Sequence, residues 1–229
     1  MKKNFVSKKI NLVLSGIFLF GGLLLVPGVS CATRTNAVSL PPPQINDGMS
    51  VMNALSERKS SRSFVDLPIS DAQLSNILWA ANGVNRPESK GRTNPAAMGV
   101  QSIHIYVVTD KGIFLYEPQS HDIRLLNKGD YRMTTTTGQS FVGKAPLTLV
   151  YVADSVAWQN ARRVPSADQQ TVFDSIAAGA MAQSVGLVAA AEGLGTCIRG
   201  SIDREAFAKA ARLLDSERII IAQTIGALP

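Results

Sequence analysis

The stretch from Ser175 to Ala191 constrains the fold of this chain most strongly. It carries no charge and consists mostly of Ala, Gly and medium-sized aliphatic residues. Ala, Met, Gln and Leu favour helix, and a helix that is apolar on every side must be buried in a protein core or a membrane. The membrane interpretation is weak, because the run is short and is interrupted by Gln183 and Ser184. The stretch therefore predicts a central core helix.

One stripe of the predicted helix is nearly bare backbone, because small residues recur there at i+4 spacing: Ala178, Ala182, Gly186 and Ala190. Such a stripe lets a flat ligand or another helix approach closely. The helix is predicted to end at Glu192–Gly195, where glycines can adopt the left-handed conformation that terminates helices. Two interpretations stay open at this point. The turn is either a plain cap on a core helix, or a place where backbone N–H groups face a ligand.

The N-terminus has the features of a bacterial export signal. A lysine-rich start precedes an apolar run over Ile10–Val26 and small residues before Cys31. This pattern is similar to a lipobox, so we expect residues 1–31 to be a lipoprotein signal, with Cys31 lipidated and the protein anchored in the cell envelope. Cleavage after Ala32 and an uncleaved anchor are the alternatives. Residues 32–47, with three consecutive prolines, predict a tether, and residues 48–229 predict one domain.

The net charge of +6 overstates how basic the exported part is. Four of the 23 Lys and Arg precede residue 10, so 19 remain against 17 Asp and Glu, which is +2. No basic stripe with interleaved aromatic residues is visible, which argues against nucleic-acid binding. Once Cys31 is lipidated or removed, Cys197 has no partner for a disulfide within the chain. Its thiol is either reactive or part of the core.

Hydrophobic periodicity predicts helices and strands without a regular βα alternation, and therefore an α+β fold. The predicted helices besides the central one are Met49–Glu57, a segment capped at Ser70 and ended by Gly83, and Asp203–Leu214. The predicted strands are Ser102–Thr109, Gly112–Tyr116, His121–Leu126, Leu147–Ala153 and Arg218–Ile225. The remaining segments predict a polar loop over Asn85–Met98, an ambiguous stretch over Asp130–Phe141 and an exposed excursion over Ser155–Asp168.

The sequence carries no serine nucleophile elbow, P-loop or metal-ligand cluster, and we expect no metal site. His104 and His121 fall in strand patterns without a second ligand at a useful spacing. What remains is the segment Arg58–Phe64, in which Arg and Ser provide charge-assisted donors suited to phosphate. Taken alone, such a segment is more often a solvated surface turn.

Several motifs in order change that interpretation. They are Arg58-Lys59-Ser60-Ser61-Arg62-Ser63-Phe64 before a capped helix with Leu-Trp-Ala-Ala-Asn-Gly, Pro95-Ala96-Ala97 before a strand, Gln101, Ala145-Pro146, Ala-Ala-Glu-Gly-Leu-Gly-Thr-Cys, and Ile225-Gly226. Together they resemble the FMN-dependent nitroreductase family, closest to the branch with azoline-forming dehydrogenases. The resemblance covers roughly residues 50 to 229. It implies a three-layer fold with a mostly antiparallel sheet, flanked by helices, around the Ala/Gly-rich helix.

The resemblance also implies a site and partners. FMN would be the cofactor, NAD(P)H a candidate electron donor, and the protein a homodimer, because family members build the flavin site from both subunits. Arg58 and Ser60 would hold the phosphate, and Arg62, the residue implied in catalysis, would reach the pyrimidine side of the ring. The Glu192-Gly193 turn would offer a backbone N–H to flavin N5. The complete set of implied cofactor contacts is Arg58, Lys59, Ser60, Arg62, Pro95, Ala96, Ala97, Gln101, Glu192, Gly193, Leu194 and Gly195.

The chain departs from the family pattern at identifiable positions. Ala96 replaces the usual Ser, and Gly99 lies where many members carry a flavin-contacting Asn. No Lys-Tyr pair resembling that of the azoline oxidases is evident, so that reaction is disfavoured. The resemblance implies hydride or electron transfer through FMN to a small conjugated acceptor, such as a quinone or a nitroaromatic. The alternative is an exported, non-catalytic flavin- or ligand-binding protein that retains the fold.

Overall fold

The structure is a computed structural model that describes residues 36–46 and 48–229. The export signal and Cys31 lie outside these residues, and their assignments stay predictions. The helices of the described part are α1 (Val51–Glu57), α2 (Asp71–Asn82), α3 (Ala167–Ala191) and α4 (Arg204–Ala211). The strands are β1 (Ala37–Ser39), β2 (Val84–Arg86), β3 (Gly91–Arg92), β4 (Ile103–Val108), β5 (Gly112–Glu117), β6 (Asp122–Lys128), β7 (Leu147–Asp154), β8 (Leu194–Arg199) and β9 (Glu217–Ala227).

Seven of these strands form one sheet in the order β1-β6-β5-β4-β7-β9-β8, in which every neighbouring pair is antiparallel. Side chains alternate between the two faces, as the strand period requires. Ile105 and Val107 of β4 pack in the same core as α2 and α3, whereas Tyr106 and Val108 pack with Phe207 of α4. The sheet is therefore the middle of three layers, and the expected α+β architecture with an antiparallel sheet flanked by helices is confirmed.

Helix α3 contains the predicted core helix but begins earlier, at Ala167, where Ser166 and Gln169 form a capping box. Within the described residues it is also the one helix with the length and apolar composition of a membrane span. The stripe of small residues explains that composition, because Ala178 and Ala182 are completely buried in the sheet-facing core. This half of the stripe therefore packs in the core of the chain.

The excursion predicted before the central helix is not exposed throughout. Residues 155–160 form a 3₁₀ turn that places Trp158 in the core, 1% exposed. Its indole Nε1 donates to the buried carboxylate of Asp174 at 3.1 Å, and the hydroxyl of Ser102 donates to the same oxygen at 2.6 Å. The guanidinium of Arg218 pairs with the other oxygen at 3.3 Å. This buried carboxylate therefore joins α3 to the start of β4 and to β9.

Part of the segment predicted as a tether lies along the domain. Strand β1 pairs with β6, and the hydroxyl of Ser75 donates to the carbonyl of Pro41 at 2.6 Å. Because that hydroxyl is already a donor, it accepts from Nε2 of His121 at 2.8 Å, and Nδ1 of His121 then accepts from the Tyr116 hydroxyl at 2.8 Å. A relay of three side chains thus fixes the chain around Leu40 against α2.

The polar loop predicted over Asn85–Met98 contains regular structure. Strands β2 and β3 form a small hairpin, and its tip is a 3₁₀ turn over Pro87–Ser89. A second 3₁₀ turn follows over Ala97–Gly99. The ambiguous stretch over Asp130–Phe141 likewise holds two 3₁₀ turns, at Arg132–Thr135 and Ser140–Gly143. Short 3₁₀ turns and strands of two or three residues leave no long periodic pattern, which is why the sequence does not predict them.

Candidate functional site

The basic segment, residues 58–62, follows directly from the end of α1. Arg58 caps that helix by donating its N–H to the carbonyl of Ala54 at 2.9 Å. The chain then runs extended beside β8, with a parallel bridge between Ser60 and Thr196 and a bond from the Ser61 N–H to the Thr196 carbonyl at 2.8 Å. The backbone of the basic segment is therefore held by the sheet, while its side chains remain available.

The side chain of Arg58 packs on helix α3 at Gly186. A Cβ added at Gly186 would lie 3.5 Å from Cδ of Arg58, so the aliphatic part of this arginine packs on the bare backbone of the stripe. Lys59, Ser60 and Arg62 are exposed. Within the described residues none of the three cations of the basic segment forms a salt bridge with an acidic side chain. The segment therefore presents cations without salt-bridge partners among the described residues, beside the exposed hydroxyl group of Ser60.

The two glycines of the predicted cap have different roles. Gly193 has φ of 71° and ends α3 in the left-handed conformation, as predicted. Gly195 instead lies in β8, where an added Cβ would come within 2.9 Å of Cβ of Ser61. It is required because the basic segment passes directly over it. A cavity of about 20 Å³ joins Arg58, Lys59, Leu194 and Gly195, which is far too small to enclose a nucleotide.

The backbone N–H groups implied as contacts to the ring are already used. The N–H of Glu192 donates to the carbonyl of Val188 at 3.0 Å, and the N–H of Gly193 donates to that of Ala190 at 3.1 Å. These bonds satisfy carbonyls of the last helical turn. Both donors are therefore used within the chain, and a ligand at this turn would have to share them.

The side chain of Glu192 faces a cavity that the sequence did not indicate. One carboxylate oxygen accepts from Nδ2 of Asn76 at 2.7 Å, while Oε2 is buried without a partner among the described residues. Burial raises the pKa of this carboxyl group, although the bond from Asn76 acts in the opposite direction. The cavity has a volume of about 840 Å³ and lies between the N-terminal segment, α2 and the end of α3, with the lining residues Ile45, Met49, Asn76, Trp79, Val188 and Glu192 among others.

The second group of predicted contacts, Pro95, Ala96, Ala97 and Gln101, is anchored separately. Nδ2 of Asn94 donates to the carbonyls of Ala80 and Ala81 at 2.6 and 2.9 Å, and its Oδ1 accepts from the hydroxyl of Ser184 at 2.6 Å. Pro95, Ala96 and Gln101 line a cavity of about 580 Å³ together with residues of the hairpin. These bonds fix the segment to α2 and to the middle of α3.

Helix α3 separates the two groups of predicted contacts. The basic segment reaches it at Gly186, and the Asn94 segment reaches it at Ser184. Positions two apart in an α-helix point about 200° away from each other, given roughly 3.6 residues per turn. The chain by itself therefore does not bring Arg58, Ser60 and Arg62 together with Pro95–Ala97 and Gln101.

The remaining titratable and nucleophilic groups have structural surroundings. Nδ1 of His104 lies 3.3 Å from a carboxylate oxygen of Glu217, and His121 belongs to the relay at Pro41. The carboxylate of Glu217 also accepts a hydrogen bond from the hydroxyl of Tyr106 at 2.9 Å. Cys197 is 2% exposed, so its thiol is part of the core. No cluster of three or more metal-ligating side chains occurs in the described part of the chain.

The fold and the arrangement of these motifs define an α+β protein of the nitroreductase type. The sequence matches the nitroreductase family over residues 55–227, and the chain therefore belongs to that family. A nitroreductase-like protein of Methanocaldococcus jannaschii is 30% identical over 158 residues, which are 65% of this chain and 77% of that protein. Members of the family are commonly FMN-dependent oxidoreductases.

Two solved structures extend the comparison. A nitroreductase-like protein of Ralstonia eutropha has 38% sequence identity and a TM-score of 0.79, and covers 86% of this chain and 91% of its own. An FMN-dependent nitroreductase of Clostridium difficile has 19% identity and a TM-score of 0.54, with coverage of 77% and 87%. The second likeness concerns the fold alone.

Proposed function

We propose that this chain is an FMN-dependent oxidoreductase that transfers hydride or electrons to a small conjugated acceptor, such as a quinone or a nitroaromatic compound, with NAD(P)H as a candidate donor. One observation supports this most directly. The basic segment of a nitroreductase-family chain presents Arg58, Ser60 and Arg62 beside the end of α3 without acidic partners among the described residues. Such uncompensated donors suit a phosphate and a ring that becomes anionic.

The residues of the basic segment fit the phosphate half of FMN. Arg58 is held against Gly186, so little side-chain freedom remains to be lost when it binds an anion. Ser60 would add a hydroxyl donor, and Arg62 would stabilise negative charge at the edge of the ring. Bound FMN would supply the two-electron hydride chemistry. The N–H groups of Glu192 and Gly193 fit less well, because both already donate within the chain.

The cavity beside Glu192 is our proposed site for the acceptor. Ile45, Met49, Trp79 and Val188 give it an apolar lining, which suits a flat conjugated molecule. Because burial raises the pKa of Glu192, its carboxyl group would hold a proton at a higher pH than an exposed one.

We further propose that the active form is a homodimer. The separation of the two groups of contacts by α3 supports this, since a second copy would complete the site. Val172 and Ile176 of α3 are 54% and 63% exposed, and Val51 and Met52 of α1 are 66% and 73% exposed. Exposed apolar side chains on two adjacent helices favour a protein interface. Light scattering that finds a monomer with bound, reducible FMN would contradict this proposal.

The test of the enzymatic function is an absorbance spectrum of the purified domain, residues 36–229, after addition of FMN and removal of excess. We expect retained flavin that NAD(P)H bleaches and that a quinone reoxidises. If FMN binds but no donor and acceptor pair turns over, the alternative, an exported non-catalytic flavin-binding protein, is supported instead. If no FMN binds at micromolar concentrations, the oxidoreductase proposal is wrong.

The exported location and the lipid anchor are proposals from the sequence of residues 1–31. Two or more acyl chains anchor a protein firmly, whereas one chain holds it only marginally. Cys31→Ala should therefore release the domain from the membrane fraction of the cells that express it. Unchanged fractionation together with an intact Met1 would indicate a signal anchor instead of a lipoprotein.

A further inference from the structure

The hairpin of β2 and β3 forms one wall of a cavity of about 580 Å³. Its other walls are the turn after Asn94, Gln101 at the start of β4, and Gln119 between β5 and β6. Among the described residues, three cations line it, Arg86, Lys90 and Arg92, and no carboxylate does. Within the described residues none of these cations belongs to a salt bridge. We call this space the hairpin cavity.

The two arginines of the hairpin cavity are held in place by backbone carbonyls. Nη1 of Arg92 donates to the carbonyl of Asn82 at 3.2 Å, and Nη2 of Arg86 donates to that of Arg92 at 3.0 Å. Gly91 is needed for this arrangement, because an added Cβ would lie 2.4 Å from Nε of Arg86. The hairpin therefore positions its guanidinium groups instead of leaving them to rotate in solvent.

Two residues that line the hairpin cavity each have one buried polar atom without a partner. Nε of Arg92 and Oε1 of Gln101 are both buried without a hydrogen bond among the described residues. An unsatisfied buried donor on a cation is costly unless something binds it. Burial also lowers the pKa of Arg92, with Tyr116 acting in the opposite direction. An anion in the cavity would offset the positive charge of Arg86, Lys90 and Arg92.

The floor of the hairpin cavity is open on the side of the predicted flavin contacts. Gly99 has φ of 74°, and an added Cβ there would meet nothing within 4 Å. Pro95, Ala96 and Gln101 line the same cavity. A small molecule bound beside these residues could therefore extend an anionic group toward Arg86, Lys90 and Arg92.

We propose that the hairpin cavity binds the oxyanion, phosphate or carboxylate, of a small molecule that exchanges electrons at the flavin site. The placement beside a flavin rests on the proposed function, whereas the anion site itself rests on the three cations and on the backbone bonds that hold two of them in place. Arginine forms paired, charge-assisted bonds with both kinds of oxyanion. Lys90, in the left-handed conformation at the tip of the hairpin with φ of 55°, adds a third charge.

The direct test is isothermal titration calorimetry of the domain with pyrophosphate and with phthalate, in low salt, with and without saturating FMN. We expect at least one probe to bind, and to bind more weakly as the salt concentration rises. Lys90→Gln and Arg86→Gln should each weaken that binding about three- to tenfold, the size of one charge-assisted contact at a partly exposed site. Lys209→Gln on α4, also an exposed lysine, is the matched control and should bind like the wild type.

Two results would overturn the anion site. One is that neither probe binds at low salt. The other is that both hairpin variants bind the probes as tightly as the wild type and the control. Gly91→Ala gives a further check, since it displaces the guanidinium of Arg86 without removing a charge, and it should weaken binding in the same direction. The calorimetry without FMN tests the anion site independently of the flavin. The anion site can therefore be confirmed even if the protein proves not to be an FMN-dependent oxidoreductase.

The oxyanion belongs either to the electron donor or to the electron acceptor. Pairs of substrates in which one member lacks the anionic group distinguish the two. NADPH and NADH carry phosphates that reduced nicotinamide riboside lacks, and 4-nitrobenzoate carries a carboxylate that nitrobenzene lacks. If the donor supplies the anion, Lys90→Gln should reduce kcat/KM for the dinucleotides about three- to tenfold and leave the riboside unchanged. If the acceptor supplies it, the same loss should appear for 4-nitrobenzoate alone. Equal effects within both pairs would contradict a role for the cavity in substrate binding.

Discussion

Two desolvated arginines of this protein have opposite surroundings. Arg199, at the end of β8, is 4% exposed and donates to the carbonyl of Thr135 at 2.7 Å and to the hydroxyl of Thr224 at 2.9 Å. Further acceptors are the hydroxyl of Thr135 and the carbonyl of Ser201. Burial lowers the pKa of Arg199 to about 10. Arg92, in the hairpin, is also partly desolvated, yet its Nε has no partner among the described residues.

The two regions differ in whether the fold itself supplies hydrogen-bond acceptors for the guanidinium group. The bonds of Arg199 join β8, β9 and the turn at Thr135, so its charge is dispersed over neutral acceptors that the fold itself supplies. Arg92 lies beside Arg86 and Lys90 in a cavity that no carboxylate of the described part of the chain lines. A cation whose donors are used inside the chain stabilises the fold, whereas one whose donors are left over is available to a ligand.

The largest expected effect is a difference in the free energy of unfolding between a variant of Arg199 and a variant of Arg92. Arg199→Met should lower the free energy of unfolding by about 2–4 kcal/mol, because several buried acceptors lose their donor. Arg92→Met should change it by less than about 1 kcal/mol, since it removes one bond to Asn82 together with an uncompensated charge. Urea denaturation of both variants measures the difference. Equal losses would show that the distinction between the two regions is wrong.

The next effect extends the comparison to the basic segment. Arg58 forms no salt bridge within the described residues, so Arg58→Ala should not destabilise the fold by more than the packing lost on Gly186. It should weaken FMN binding about tenfold, the value of one charge-assisted bond to a phosphate. Quenching of flavin fluorescence measures this affinity. Arg163→Ala, at an exposed arginine before α3, is the control.

A smaller effect is expected at Arg62, where we propose action on the ring rather than on the phosphate. An interaction that strengthens when the ring becomes anionic stabilises the reduced state. Arg62→Ala should lower the flavin potential by about 30 mV, since this corresponds to about 1.4 kcal/mol for a two-electron couple. Arg58→Ala should leave the potential of bound flavin nearly unchanged. A redox titration that gives the same potential for wild type and Arg62→Ala, with FMN bound in both, would sink the assignment.

The smallest expected effect is on the pH dependence of the free energy of unfolding. It arises from His121 in the relay at Pro41, where the hydrogen bonds of the side chains are made within the chain. Burial lowers the pKa of His121, although the carbonyl of Pro41 and the charge of Asp122 act in the opposite direction. The unfolded chain therefore takes up a proton near its ordinary pKa of about 6.5 before the folded chain does. Stability from this group is present above that pH and is lost as the pH falls below it.

His121→Asn should flatten this part of the pH profile, and Asn tolerates the left-handed backbone, with φ of 51°, at this position. Urea midpoints at pH 7.5 and pH 5.5 measure the change, and the comparison with wild type cancels the contributions of other groups. His104→Asn, at the other histidine of the chain, is the matched control. If both variants keep the acid loss of the wild type, His121 does not carry it.

Local patterns determined much of the fold in advance. Three elements follow from residue spacing alone. The uncharged run up to Ala191 predicts α3, the capping box at Ser70 predicts the start of α2, and the alternation around Ile105 predicts β4. The ordered motifs from Arg58 to Gly226 indicated the family, because short motifs in a fixed order are specific even when each is common. Both results depend on neighbours in sequence, which the sequence itself displays.

Tertiary structure alone decided where side chains from distant segments meet. No local pattern shows that the hydroxyl of Ser75 bonds to Pro41, that Gly195 makes room for Ser61, or that the N–H groups of the turn after α3 are used within the chain. The same is true of Arg92, which is an ordinary polar residue in the sequence. Only the folded chain shows that its Nε is buried without a partner among the described residues.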